Sequence, residues 1–323
     1  MADRINKFGQ EVTLIAYDAA GVEIFQTDTL RVDFDIRHIE TYTRAKIGIF
    51  NLSPDTIKLL TKPKSIFLTL WVSLHGATPV KIASDLYVSN AINEIKVPDS
   101  ELCLYCTSKY KENLDRPVDV WVKNPTLSKV IKKVFENSGY NGLYELRHFP
   151  AEYLSYVNYR PTLRQGSLMT VLESMGEEYG FTVFTENNII VLLYRCQTAN
   201  YKTSTFEREE HVVKLSSNNL RSSPKIGIAA MSIVSNLDLN IKPGAVLDIS
   251  DLTTASVDLD FTKLAIGLDL VQQGVAGFNK YQVQKVQHKG SNWIDLWQTQ
   301  AVAHPPTQGE SMNTDAWWTP YSY

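Results

Sequence analysis

Cys103-Leu104-Tyr105-Cys106 sets two thiols at the spacing used by zinc and dithiol redox sites. The run lies in a stretch with strand periodicity, where residues three apart point to opposite faces, so the two sulfurs do not converge on one ion. No second CxxC or His pair stands nearby, and the structural reading is preferred. His38, His75, His148, His211, His288 and His304 are scattered, none at metal-ligand spacing from another. Glu207-Arg208-Glu209-Glu210 offers the paired carboxylates that glycoside hydrolysis needs. An acidic run beside a domain boundary is more often a solvated linker, and nothing supplies a placed acid and nucleophile. GxSxG, P-loop and HExxH motifs do not occur. The expectation is a chain without catalytic residues, cofactor or metal.

Composition narrows the class further. Apolar residues at 44% and charged residues at 21% of 323 are ordinary for a globular protein with room for two or three domains. Cys103, Cys106 and Cys196 suit a reducing compartment, such as the cytoplasm of a bacterial host. The start, Met1 to Lys7, has no apolar core of a secretory signal, and no run is long enough for a membrane anchor. Net charge is -3, from 32 basic and 35 acidic residues, so no global positive field would hold nucleic acid.

The elements fall into three zones. Residues 1–110 read as strands: Val12 to Tyr17, Leu30 to Ile36, Ala45 to Phe50, Ile66 to Leu74, Lys81 to Val88, Ile92 to Ile95 and Glu101 to Ser108. One short helix is inserted, Thr56 to Leu60, where Ser53 caps, Pro54 has no N–H to waste and Asp55 complements the dipole. Residues 111–205 change period. Asn124-Pro125-Thr126 opens a helix that Ser138-Gly139 stops, and Ser167 to Tyr179 ends at Gly180. Phe181 to Thr185 and Ile189 to Tyr194 then form a hairpin across Glu186-Asn187-Asn188, completing an α+β insert. Residues 206–304 return to alternation in Val212 to Leu215, Ile226 to Leu237, Val246 to Ile249, Tyr281 to His288 and Trp293 to Ala303. A tail, 305–323, carries Trp317, Trp318, Tyr321 and Tyr323, typical anchors for a neighbouring subunit unless the tail folds back on its own third domain.

Three segments carry a resemblance to a known family. Lys46-Ile47-Gly48-Ile49-Phe50-Asn51-Leu52-Ser53, after the strand Leu30 to Ile36, resembles the first domain of phage central baseplate hub proteins of the late control protein D-like family. Leu237-Asp238-Leu239-Asn240-Ile241-Lys242-Pro243-Gly244 looks like that family's sheet, Pro-Gly, strand segment. Tyr281 to Gly290, followed by Trp293, Trp297 and Thr299, is the third match. The resemblance implies a mainly β fold with two tail-tube-like β-barrel domains flanking a small α+β domain. It implies a virion structural protein of the tail baseplate, a homotrimeric ring adapting a sixfold tail tube to a threefold spike and enclosing the channel for genome passage. Its partners would be its own copies, the tail tube protein, the central spike protein and the surrounding baseplate wedge proteins, with DNA present only in transit. His38, Thr41 and Arg44, between two strands, would form a hairpin tip for ring or tube contacts, and the helix after Ser53 would face the next subunit or the baseplate. Six Trp and sixteen Tyr residues keep a carbohydrate- or receptor-binding β protein of a tail tip as the alternative, with a cell-wall hydrolase third.

Overall fold

The computed structural model describes residues 10–38, 43–61, 66–74, 76–96, 98–108, 114–123, 125–147, 149, 151–155, 162–186, 189–194, 212–226, 230–252, 258–259 and 280–304. By internal packing the chain divides into two compact units: residues 1–193 with 287–297, and residues 194–286 with 298–323.

The first unit starts with β1 (Gln10–Tyr17), β2 (Glu23–Thr27), β3 (Val32–His38), β4 (Arg44–Phe50), α1 (Pro54–Leu60), β5 (Phe67–Leu74), β6 (Val80–Lys96) and β7 (Asp99–Ser108). Alternation decides which face is buried: Val12, Leu14 and Ala16 of β1, and Val32 and Ile36 of β3, are fully inside, while the residues between them are wetter. Ser53 caps α1 as its type predicts, its Oγ accepting from the Thr56 N–H.

β6 is a single 17-residue strand, where the sequence pattern suggested two, Lys81 to Val88 and Ile92 to Ile95. Ser89-Asn90 is a bulge, not a break: the register against β7 shifts between Val88 and Asn90, and Asp85 just before it takes a positive φ of 50°. Across that bend β6 changes partner. Val80 to Tyr87 pairs with β5, and Leu86 to Lys96 pairs with β7, so one long strand links the two halves of a continuous sheet. The neighbours run β2-β1-β5-β6 on one side and β6-β7-β4-β3 on the other, continuing to residues 287–291 of β18 (Lys280–Ser291). Glu23–Thr27 was not expected as a strand; it extends β1 through a turn closed by Asp18 and Gly21.

The α+β part of this unit holds β8 (Pro117–Val122), α2 (Leu127–Asn137), β9 (Tyr144–Arg147), α3 (Ala151–Ser155), β10 (Thr162–Ser167), α4 (Leu168–Tyr179), β11 (Phe181–Glu186) and β12 (Ile189–Tyr194). Thr126 caps α2 and Ser167 caps α4, which ends at Gly180 in the left-handed conformation, φ 71°. β8, β9 and β10 were not anticipated, being short and bordered by polar residues. Gly176 lies in α4 where an added Cβ would stand 2.4 Å from the Phe181 carbonyl oxygen. Gly to Ala inside a helix ordinarily stabilises by about 1 kcal/mol. Here Gly176→Ala should instead destabilise by about 1–3 kcal/mol, the range for overpacking against a rigid neighbour. A urea midpoint equal to or above wild type would show that the helix can move away from β11.

In the second unit, β13 (Val212–Lys214) pairs with β16 (Val246–Asp248), which also pairs with residues 280–282 of β18. β14 (Leu220–Ile226) and β15 (Met231–Asn236) form a hairpin, and β15 pairs with β19 (Trp297–His304); β17 (Asp258–Leu259) lies beside β14. The apolar run Ile226 to Leu237, expected as one strand, is thus divided, and the expected strand from Trp293 begins at Trp297. Pro243-Gly244 is a turn in which Ala245 N–H donates to Lys242 O at 3.0 Å and Gly244 has φ 90°, the geometry of a type II turn. It delivers the chain to Val283, whose carbonyl accepts from Gly244 N–H and whose N–H donates to Ala245 O, both at 2.8 Å, around a core of Met231, Ile233, Leu247, Tyr281 and Val286.

Candidate assembly interface

β6 past its bulge has an open side. From Asn90 to Lys96 it is paired with β7 alone among the described residues, and it ends in a tight return to Asp99. Ile92 is 42% exposed and Ile95 is 79% exposed. Being three apart in a strand, they occupy opposite faces, and a core on one side cannot take both. That conflict is readable in the sequence. β2 is the second open edge, paired only with β1 among the described residues. Unpaired backbone on edges of this kind is a template for another strand.

The face of the sheet that carries Glu101 and Cys103 is polar but largely closed. Arg31 grips Asp33 and Arg37 grips Asp35, each through two nitrogens, while Ser291 and Gln287 donate to the same carboxylates at 2.6 and 2.5 Å. Next to them Gly48 leaves the space that the Glu101 carboxylate occupies, since a Cβ there would meet Oε1 at 2.4 Å. Cys103 donates to that carboxylate at 3.1 Å, and burial first, then Glu101, pushes its thiol up to about 11. Cys106 lies in register with Ala45 on the opposite, core face, where burial raises its thiol pKa as well. The CxxC pair is therefore split between faces, as its strand spacing implied. Among the described residues no group of three or more His, Cys, Asp or Glu is placed to hold a metal ion, and no helix is long and apolar enough to cross a membrane. Cys196, His75, His148, His211 and Glu207 to Glu210 lie outside the described residues.

One end of this sheet is capped by a loop between β18 and β19. Asn292 accepts from Val32 N–H and donates to Leu30 O, both at 2.8 Å, and the Ser291 hydroxyl accepts from the N–H groups of Trp293 and Ile294. The polar atoms thus point into the fold, and Trp293 and Ile294 are left 60% and 43% exposed. Nearby, the Arg31 guanidinium lies 3.9 Å from the centre of the buried Phe50 ring.

His38 and Arg44 stand at the opposite end of the same strands. His38 ends β3 and is turned inward: its ring meets that of His288 edge-on at 6.0 Å, and Nδ1 lies 3.0 Å from Thr43 Oγ1. Thr43 Oγ1 gives its one proton to Thr185 O at 3.3 Å, so His38 Nδ1–H is the donor in the first contact. Ser108 and Thr185 share a further hydroxyl contact at 3.3 Å. These hydroxyls tie the β3-β4 end to β11. Arg44 is the first residue of β4, exposed and in register with Arg37 and Thr107. Thr41, Trp317, Trp318, Tyr321 and Tyr323 lie outside the described residues.

No family model matches the chain, and no curated protein matches it. Solved structures do. A 43 kDa tail protein of prophage MuSo2 from Shewanella oneidensis is similar over 92% of this chain and 98% of its own, at 9% identity and a TM-score of 0.52. A chain of the lidded Francisella PdpA–VgrG complex is similar over 91% of this chain, at 9% identity and TM-score 0.51; this chain spans about half of it, 53%. The E. coli c3393 protein, described as a type VI secretion component structurally similar to T4 tail proteins gp27 and gp5, is similar over 85% of this chain and 73% of its own, at 12% identity and TM-score 0.50. The chain therefore has the mostly β fold of phage tail and VgrG-like proteins.

Proposed function

We propose that this chain is the central hub of a phage tail baseplate, a structural protein that closes into a homotrimeric ring, with residues 1–110 and 206–304 as tube-like barrels and 111–205 as the insert. The observation that carries the proposal is the open edge Asn90 to Lys96 with Ile92 and Ile95 exposed, on a chain whose fold matches tail proteins over nearly its whole length. Left bare, such an edge promotes aggregation; paired with the β2 edge of a neighbouring copy, it makes a contact between two different surfaces, which rotation can close into a ring. Three copies with two barrels each would offer six similar barrels to a sixfold tube and a threefold face to a spike. DNA would pass through the lumen without being held, in keeping with a net charge of -3. His38, Thr41, Arg44 and the aromatic tail remain proposed contacts with the ring, tube, spike or wedges.

Electron imaging of the chain, alone and with its tube and spike proteins, should show a threefold ring with a central channel. A chain that stays monomeric under both conditions contradicts the proposal. Within it, Ile92→Lys with Ile95→Lys should abolish rings while shifting stability by no more than about 0.5 kcal/mol, the usual range for exposed positions.

A further inference from the structure

We infer that the Trp293-Ile294 loop of one copy docks on the Trp121-Leu163 face of the next, a pairing that presupposes the ring proposed above. β8 and β10 form a two-stranded ribbon with Trp121 directly across from Leu163. Val118, Val120 and Val122 on its other face are buried, yet Trp121 is 60% exposed and Leu163 56% exposed. The ribbon is tied down: Asp119 N–H donates to Asn137 Oδ1 at 2.8 Å, and Gln165 donates to the Asp119 carboxylate at 3.0 Å. An exposed cross-strand aromatic-aliphatic pair on a rigid support has the character of an interface hot spot.

The loop is its counterpart in form. It projects one Trp and one Ile, and its hydrogen bonds to Leu30 and Val32 fix it before any partner arrives, which reduces the entropy lost on docking. Charge fits as well. Trp121 stands between Asp119, whose carboxylate accepts from Gln165, and exposed Lys123 just past the end of β8, and exposed Asp295 follows Ile294 in the loop, so the lysine of one copy can meet the aspartate of the next. If either patch met its own copy, the result would be a closed twofold dimer. A ring of three needs two different patches in contact, and the first unit carries a projecting Trp-Ile pair next to Asp295 and a cross-strand Trp-Leu pair next to Lys123.

The test uses the full chain and reads ring fraction by mass photometry and imaging. Trp293→Ala and Trp121→Ala should each weaken association at least about tenfold. Lys123→Glu and Asp295→Lys should each weaken it a few-fold at low salt, and the two together should restore it to within about twofold of wild type. Trp293→Cys mixed with Leu163→Cys, both in a Cys196→Ser background, should yield an intermolecular disulfide; buried Cys103 and Cys106 do not compete. Rings without that crosslink, or rings indifferent to both Trp substitutions, overturn the docking and leave the ring standing. A monomer under every condition, partners included, overturns both.

Discussion

Trp297→Ala should cost about 4 kcal/mol, within the range for deleting a buried aromatic side chain. Trp297 is 2% exposed, sits edge-on against Phe34 with ring centres 5.7 Å apart, and its indole N–H donates to the Ser291 carbonyl. Truncation removes the dispersion contacts, forfeits the aromatic pair and leaves a buried acceptor without its donor. Against a total of about 5–15 kcal/mol for a typical domain, that is a large fraction. The same cluster explains Gly290. A Cβ at that position would stand 2.4 Å from Phe34 Cζ, so glycine there lets β18 lie beside β3 without displacing the buried ring. Gly290→Ala should cost about 1–3 kcal/mol, and Phe34→Leu should remove most of that penalty by withdrawing the ring. The three residues therefore act as one packing unit with strongly non-additive substitutions. Urea unfolding of the single and double variants decides it. A Trp297→Ala loss under about 1 kcal/mol, or strict additivity of Gly290→Ala with Phe34→Leu, would show that the cluster does not pack as described.

Acid should destabilise the protein through His288. That ring is 4% exposed, and burial first, then the adjacent His38, holds its pKa down to about 3. In the unfolded chain a histidine titrates near 6.5. Between those values the unfolded state binds a proton that the folded state refuses, so stability is fully present above about pH 6.5 and falls as pH drops towards 3. The slope for one proton is at most about 1.4 kcal/mol per pH unit, which amounts to about 2 kcal/mol between pH 6.5 and 5. Carboxylates titrate in any variant, so the informative quantity is the difference between wild type and His288→Gln. That difference should shrink steadily below pH 6.5 as wild type loses its advantage, read from melting temperatures across pH 7.5 to 4.5. Parallel curves would assign acid sensitivity elsewhere.

Local chemistry was the most legible part of this chain. Ser53-Pro54 and Ser167 start helices where their types demand, Gly180 ends one in the left-handed conformation, and Pro243-Gly244 turns as a type II pair. In each case a few neighbouring atoms decide the outcome. The misreadings share a cause. Ser89-Asn90 looks like a break because bulges carry the residues that loops carry, and only pairing with β7 distinguishes the two. Ile226 to Leu237 looks continuous because the apolar run starts at the last residue of β14 and carries on into β15, with no Pro, Asn or Asp between them to mark the division.

The candidate interface was legible only in outline. Aromatic richness and edge strands pointed to assembly, yet the hairpin tip chosen for it contains His38, which faces inward to His288, 250 residues away. Trp293 and Trp121 sit in ordinary strand-like contexts, and nothing in their spacing separates them from buried Trp297. By itself the sequence determined periods, caps, turns and a β-dominated class, because those follow from backbone sterics and local hydrogen bonding. Tertiary structure alone decided that Asn90 to Lys96 is an edge among the described residues, that Trp297 is core while Trp121 and Trp293 are exposed, and that His288 is sealed from water. Those properties depend on which distant strands arrive beside a residue, and in a sheet built from pairings this far apart along the chain, no local pattern records them.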